Sequence, residues 1–349
     1  MGSINIGIIG VGNCAAALVQ GLVYYHDREA GRAGLANPVC AGYAVADIRC
    51  TAAFDVNRAK IGRDLAEAIG IAPNNALAFA TVEPLGVVVR EGVLADGVAA
   101  ITAGHIDARG GSPLAALVEH LRQTETQILV NFLPVGSQQA AEAYAEAALL
   151  AGCAFINCMP AAIARSAAWS ERFAAAGLPL LGDDLKSQFG ATLLHHALVD
   201  TLARNGVQLR STYQIVSGGN MDFLTLQDPA RIGSKKATKV HGFGGTDLPA
   251  DAVHFGAEYV PFLKDRKIAF IRLTGEAFGG TAIDVELKLE IEDSPSAAGN
   301  VLDAVRYARA ARDAGLAGVI DPVAALLMKA PPQPMEAAAA LDAIRAILP

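Results

Sequence analysis

The chain has 349 residues, 52% of them hydrophobic and 18% charged, with a mean hydropathy of +0.34. That length suits two domains, or one large domain carrying an insertion, and the composition excludes disorder and fibrous or low-complexity architectures. A net charge of −7 and an isoelectric point near 5.5 provide no basic field, which excludes nucleic acid and anionic membranes as partners.

In chain order, residues 4–9 form a short apolar run, Gly10-Val11-Gly12-Asn13-Cys14-Ala15 follows, and 15–24 is rich in alanine and leucine. This order predicts strand, tight turn and helix. A polar segment at 26–46 reads as an insertion, Thr51 to Asp55 as a buried strand ending in a carboxylate, and 57–69 as a helix. Further strands are predicted at 97–102, 127–133, 153–157 and 178–181, separated by helices at 113–123, 137–151 and 168–176. Strands alternating with helices predict an α/β fold, a Rossmann-like doubly wound parallel sheet covered on both faces.

The texture changes near residue 206, where strands at 207–216, 268–273 and 283–291 follow without long helices between them. The last alternates apolar with charged residues, as in a mostly antiparallel sheet with one wet or interfacial face. Helical periodicity returns at 297–315 and 334–347. The predicted organisation is a dinucleotide-binding domain over 1–205, an inserted α+β domain over 206–294, and C-terminal helices over 295–349 that pack back on the first.

Five cysteines, Cys14, Cys40, Cys50, Cys153 and Cys158, form no C-x-x-C pair and are too few for a disulfide scaffold, so a reducing cytoplasm is expected. The most apolar stretch, around 140–160, is broken by Glu142 and Glu146, and no membrane span is expected. No charged region precedes an apolar one at the N-terminus, so no cleaved signal is expected.

Gly10-x-Gly12-x-x-Ala15, placed between a strand and a helix, fits a dinucleotide-binding fingerprint. Gly10 permits the turn, Gly12 removes a Cβ that would block a pyrophosphate, and Ala15 lets helix and strand approach while helix N–H groups face the anion. Asp55 would accept hydrogen bonds from ribose hydroxyls and repel a 2′-phosphate, favouring NAD over NADP. The competing readings are an ordinary strand–helix turn, and an Asp55 that caps the next helix.

Arginine outnumbers lysine nineteen to nine, and residues 1–185 hold ten arginines but only Lys60. Six polar motifs carry most of the remaining lysines: Gly182-Asp-Asp-Leu-Lys-Ser-Gln-Phe-Gly-Ala-Thr192, Gly218-Gly-Asn-Met-Asp-Phe-Leu224, Ser234-Lys-Lys-Ala-Thr-Lys239, Asp265-Arg-Lys267, Glu292-Asp-Ser-Pro295 and Leu327-Met-Lys-Ala-Pro331. Lysine can transfer a proton where arginine stays charged, so such placement suggests chemistry. Lys60, Lys264 and Lys288 read as solvated surface charges.

Together with Gly10 to Ala15 and Leu133-Pro-Val-Gly-Ser137, these motifs resemble the inositol-3-phosphate synthase (myo-inositol-1-phosphate synthase) family in its shorter bacterial and archaeal form, over nearly the whole chain and in the expected order. The resemblance implies an NAD-dependent isomerase that converts D-glucose 6-phosphate to 1D-myo-inositol 3-phosphate. Oxidation at C5, enolisation at C6, attack of C6 on the C1 aldehyde and a final reduction make the reaction redox-neutral. It also implies a homotetramer in which the inserted domain serves both catalysis and assembly.

Carried over by motif, Lys235 and Lys239 would face C5, with Lys235 the first choice of base. Lys267 would contact phosphate and the enolate region, and Lys329 would donate to the C1 oxygen. Asp184 and Asp293 would set lysine protonation. Several ammonium groups in one pocket depress one another's pKa. Lys186, Ser187, Gln188, Phe189 and Gly190, opening a helix through 191–203, would hold the sugar phosphate, with Thr192 assisting. Asn220 and Asp222 would border the sugar, or else serve only as turn formers. The resemblance extends the cofactor set to Asn13, Cys14, Pro134, Gly136, Ser137 and Asp183.

Adjacent His195 and His196 point about 100° apart on a helix and cannot share a metal, so they read as packed or surface residues. Members of the family depend on different monovalent or divalent cations, so the resemblance admits a cation without naming its ligands. Segment 240–262 departs from the family pattern, which leaves open a sister enzyme acting on another phosphorylated sugar. A catalytically silent dinucleotide-binding protein and a net dehydrogenase are the readings from other classes.

Overall fold

The computed structural model describes residues 2–26, 33–229, 231 and 248–348. Its first part runs β1 (Ile4–Ile9), α1 (Asn13–Tyr24), β2 (Val39–Cys40), β3 (Tyr43–Ala44), β4 (Ile48–Asp55), α2 (Leu65–Ala68), β5 (Val89–Glu91), α3 (Leu114–Gln123), β6 (Ile128–Asn131), α4 (Gln138–Ala151), β7 (Ala154–Asn157), α5 (Ala167–Ala175) and β8 (Pro179–Leu181). There follow α6 (Ala191–Arg204), β9 (Gln208–Gly218), α7 (Met221–Thr225), β10 (Val253–Tyr259), β11 (Arg266–Glu276), β12 (Ala282–Glu292), α8 (Asp293–Asp313), β13 (Gly318–Val319), α9 (Asp321–Leu327) and α10 (Ala337–Ile347).

Seven strands form a parallel sheet in the order β13-β8-β7-β6-β1-β4-β5. The chain winds one way from β1 through β4 to β5 and the other way from β6 onward, so the winding reverses between β1 and β6. At such a point the loops leaving the strand ends diverge and open a crevice. The sheet is buried on both faces, which is why its strands are near-continuous apolar runs. Ile4, Ile6, Ile8, Ile128 and Val130 face one core with α1 and α8. Ile9, Leu129 and Phe155 face the other, under Leu117, Tyr144 and Phe173 of α3, α4 and α5.

Two elements differ from the sequence reading. The run at 97–102 is not a strand: Gly97 N donates to Leu94 O and Thr102 N to Ala99 O, so local turns satisfy its backbone, and β5 takes the edge of the sheet instead. A short apolar run does not by itself distinguish a strand from a buried turn. Within 57–69 only α2 is helical. Asn57 Oδ1 accepts from Ala59 N at 3.1 Å, a local bond in place of a helical one, and the helix begins only after Asp64, whose Oδ1 caps it by accepting Ala66 N at 2.8 Å.

After α6 the chain builds a four-stranded sheet, β10-β9-β11-β12, in which β10 runs parallel to β9 and the remaining pairs are antiparallel. Val216, Ala269, Ile271 and Leu273 pack under Ala191 and Val199 of α6. On β12, Val285, Leu287 and Leu289 pack inward while Asp284, Glu286, Lys288 and Glu290 are exposed, the alternation expected of a half-covered strand. From β12 the chain enters α8, which lies against α1, and β13 then completes the seven-stranded sheet.

Candidate functional site

A cavity of about 720 Å³ opens at the carboxyl ends of β1 and β6 and runs to the four-stranded sheet. Gly10 forms its floor. Its φ is +80°, its N–H donates to Phe54 O at 2.9 Å, and a Cβ there would lie 3.0 Å from Phe132 O. Gly12, the residue before α1, has no side-chain cap and no acidic residue in the following turn, and a Cβ built on it meets nothing within 4 Å. The first amides of α1 therefore face open space beside Gly12, an electropositive cradle for an anion.

Asp55, at the end of β4, accepts Val11 N and Asn57 N, each at 2.7 Å, and lines the cavity. Asp55 shapes the turn and presents a carboxylate to the cavity; it does not cap a helix, because the next one, α2, begins at Leu65 and is capped by Asp64. Lys60 is a correction: it is 3% exposed, with Nζ 2.7 Å from Val11 O and 2.8 Å from Asn74 Oδ1. Burial pushes its pKa down, and Asp55 opposes that shift.

Of the other residues assigned to the cofactor, Asn13, Cys14 and Pro134 line the cavity, while Ala15 is buried behind the turn. Gly136 backs onto Arg231, whose guanidinium donates to Val135 O at 2.8 Å and Asp96 O at 2.6 Å. Ser137 is buried at the start of α4. Asp183 is corrected. It is 0% exposed and its carboxylate accepts Asn157 Nδ2 at 2.7 Å, Ala164 N at 3.0 Å and Arg165 N and Nε at 3.2 Å. It holds the 161–165 loop and is not among the residues that line the cavity.

Elsewhere in the same cavity stand two lysine–carboxylate pairs, each joining residues from separate motifs. Lys329 Nζ lies 2.9 Å from Asp184 Oδ1, and Lys267 Nζ lies 3.1 Å from Asp293 Oδ1 and 5.7 Å from the Phe223 ring centre. All four line the cavity. Lys186 donates to Ala325 O at 2.8 Å and Leu326 O at 3.2 Å, the last carbonyls of α9. Burial, reinforced by the charge of Lys329, pushes Lys186 down to about 8.

Ser187, Gln188 and Gly190 line the cavity where α6 begins without a side-chain cap or an acidic first turn. Thr192 joins them, whereas Phe189 is 55% exposed and not part of the lining. Asn220 caps α7 by accepting Asp222 N at 3.1 Å and Phe223 N at 3.2 Å, and both Asn220 and Asp222 reach the cavity. Lys235 and Lys239 lie outside the described residues.

A model of the myo-inositol-1-phosphate synthase family matches residues 190–294. Inositol-3-phosphate synthase from Mycolicibacterium smegmatis is 42% identical over 342 residues, 95% of this chain and 94% of that protein. The chain belongs to the inositol-3-phosphate synthase family. The Corynebacterium glutamicum inositol-3-phosphate synthase is 40% identical over 99% of this chain and 98% of its own. A myo-inositol-1-phosphate synthase-related protein from Thermotoga maritima superposes with a TM-score of 0.82 at 27% identity, covering 99% of this chain and 98% of that one. A Caenorhabditis elegans inositol-3-phosphate synthase shares the fold, with a TM-score of 0.77 at 18% identity over 99% of this chain and 85% of that one.

In this member of the inositol-3-phosphate synthase family, His195 is a packed residue: its Nε2 lies 2.6 Å from Thr212 Oγ1, which donates to Arg272 O at 2.8 Å. His196 is half-buried and lines the cavity, its pKa lowered by burial and then by Lys186. Among the described residues no group of three or more His, Cys, Asp or Glu side chains is arranged to hold a metal ion, and no helix is long and apolar enough to cross a membrane. Sequence reasoning missed Lys60, Asn74, His196, Asp265, Ser294 and Asn300, of which all but Asp265 line the cavity. Asp265 and Ser294 stood inside the quoted motifs, and Lys60 was the sole lysine of its half; proximity to a motif lysine was the available signal.

Proposed function

We propose that this chain converts D-glucose 6-phosphate to 1D-myo-inositol 3-phosphate with NAD as a cofactor that is regenerated in each turnover. The observation that carries the reading is one cavity lined at one end by Gly10, Gly12 and Asp55 and at the other by the Lys329–Asp184 and Lys267–Asp293 pairs. A dehydrogenase site needs a nucleotide cradle and one base. Ring closure through an enolate also needs several cations around the sugar, which these pairs supply.

The open space at Gly12, the uncapped α1 amides and the Asp55 carboxylate fit a dinucleotide. When bound there, NAD would supply the hydride acceptor at C5 and return the hydride at the end. Gly10, Gly12, Asn13, Cys14, Ala15, Asp55, Pro134, Gly136 and Ser137 would form or support that end, and Asp183 would not touch it.

The protein's own groups supply the rest. Ser187, Gln188 and Gly190, with the first amides of α6 and Lys186, hold the phosphate dianion. Lys329 donates to the C1 oxygen as the ring closes, and Asp184 holds it in position. Lys267, held by Asp293, stabilises the enolate oxygen. By the family motif Lys235 takes the C5 hydroxyl proton and Lys239 is the second lysine offered for C5, and Asn220 and Asp222 border the sugar. The five free thiols suit a reducing cytoplasm. The open face of the four-stranded sheet supports assembly into a homotetramer.

The test is incubation of the purified protein with glucose 6-phosphate and a catalytic amount of NAD+, followed by phosphorus NMR and chiral analysis of the product. Stoichiometric conversion at steady 340 nm absorbance is expected. NADH accumulating with product would make the protein a net dehydrogenase, and turnover of another sugar phosphate alone would make it a sister cyclase.

A further inference from the structure

We propose that Asp265 is a positioning residue that ties the glycine turn after β1 to the Lys267–Asp293 pair, so that one buried carboxylate sets both ends of the cavity. It rests on the proposed function only in taking that turn to be the nucleotide end.

Asp265 is 1% exposed, between an exposed turn and the start of β11. Its Oδ1 accepts Asn13 Nδ2 at 2.8 Å, Asn220 Nδ2 at 3.0 Å and Ser294 Oγ at 2.9 Å, and its Oδ2 accepts Ser294 N at 3.1 Å. Its main-chain oxygen accepts Asp293 N at 3.0 Å. Three elements far apart in sequence therefore converge on one side chain. Asn13 opens α1 next to Gly12, Asn220 caps α7 at the sugar end, and Ser294 opens α8 beside Asp293. Lys267, two residues along β11 from Asp265, is held by that same Asp293.

The far ends of these links are fixed as well. Asn13 Oδ1 accepts Asn75 N at 2.9 Å and Ala76 N at 3.2 Å, and Asn75 Nδ2 donates to Gly219 O at 3.0 Å. The donors to Asp265 are neutral, so nothing is gained from charge pairing that a hydrophobic pair could replace. The carboxylate is needed because it has only acceptors. An amide at 265 must aim its NH2 either at the Ser294 N–H or at the amides of Asn13 and Asn220. Neither amide can turn over, since each Oδ1 already holds backbone N–H groups. Asp265 thus transmits the position of the cofactor turn to the lysine pair, and its loss should blur hydride geometry more than phosphate binding.

The test compares the full-length wild-type chain with Asp265→Asn by calorimetry with NAD+, steady-state kinetics on glucose 6-phosphate and the isotope effect of C5-deuterated substrate. Asp265→Asn is expected to raise the Kd for NAD+ by about fivefold or more and to lower kcat by about tenfold or more, with KM within about twofold. The deuterium effect on kcat should rise as hydride transfer becomes limiting. Adding Asn13→Ala should weaken NAD+ no further than the worse single variant, because both act through one link. A folded Asp265→Asn with unchanged Kd and isotope effect, or losses that multiply in the double variant, overturns the proposal. Should Asp265→Asn fail to fold, Ser294→Ala removes one of the four bonds and must shift Kd and isotope effect in the same directions; no shift overturns it. A wild-type chain that binds NAD+ but leaves glucose 6-phosphate untouched defeats the proposed function, while the Kd comparison still decides Asp265.

Discussion

Lys329 is bonded to Asp184 twice: its Nζ lies 2.9 Å from Oδ1 and its backbone N 2.6 Å from the Asp184 carbonyl oxygen. Leu185 and Met328 pair beside them as an isolated antiparallel bridge, so the two motifs are zipped backbone to backbone before their side chains meet. Asp184 has φ +64°, a left-handed conformation that Asn adopts at less cost than Ala.

That conformation separates charge from shape. Asp184→Asn should keep the fold and lose about a hundredfold or more in turnover, whereas Asp184→Ala should also cost about 1–2 kcal/mol of stability. Lys329→Ala should abolish turnover while NAD+ binding by calorimetry is unchanged. A fully active Lys329→Ala would remove it from the chemistry.

Gly12 offers a cleaner test of the cofactor end. A Cβ there meets nothing within 4 Å and φ is −91°, so Gly12→Val should fold with a melting temperature near wild type. Its side chain would occupy the space in front of the α1 amides, and NAD+ affinity should fall about tenfold to a hundredfold. Unaltered affinity would place the pyrophosphate elsewhere.

Lys60 is predicted to be structural for the same turn. Lys60→Ala leaves a void and strips a donor from Val11 O and Asn74 Oδ1, which should cost about 2–4 kcal/mol in urea unfolding. A change within about 0.5 kcal/mol, the size expected of a surface site, would contradict its burial.

Lys186 sets the pH dependence of substrate capture. With its pKa pushed down to about 8 by burial and Lys329, it is charged below that pH and neutral above it. A sugar phosphate is mostly dianionic above about pH 6. KM should therefore be lowest between these values and rise as pH passes 8. A bound dianion favours the ammonium form, so binding at pH 8 should take up a proton, seen as buffer-dependent heat in calorimetry. Lys186→Met should raise KM at pH 7 and flatten its rise above pH 8; a variant that keeps that rise would exclude Lys186 as its source.

Assembly should depend on the open sheet face. Phe270 is 47% exposed in the middle of β11, and Phe278 at the β11–β12 turn is 98% exposed. Light scattering should give a mass near four times 36.0 kDa, and Phe270→Arg should lower it by placing a charge in the interface. A wild-type monomer would refute the tetramer.

Some of this was legible locally. The apolar run at 4–9, the glycine turn and the alternating strand at 283–291 report their own structure, because a buried strand, a tight turn and a half-covered strand each require a pattern of neighbours in the chain. The same logic failed at 97–102 and 57–69. There the outcome depended on which strand took the sheet edge, on Asn57, whose side chain competed with a helix for backbone groups, and on Asp64, whose cap set a late helix start.

By itself, the sequence determined the fold class, since periodicity and residue type are local properties, while the family and the motif residues that now line the cavity came from the resemblance those motifs carry. Only the tertiary structure decided that Asp183 holds a loop while its neighbour Asp184 meets Lys329, that Lys60 is buried beneath the glycine turn, and that Asp265 gathers Asn13, Asn220 and Ser294. Hydrogen bonds and burial depend on partners brought together from distant parts of the chain, and no spacing along it records which partner each polar group will find.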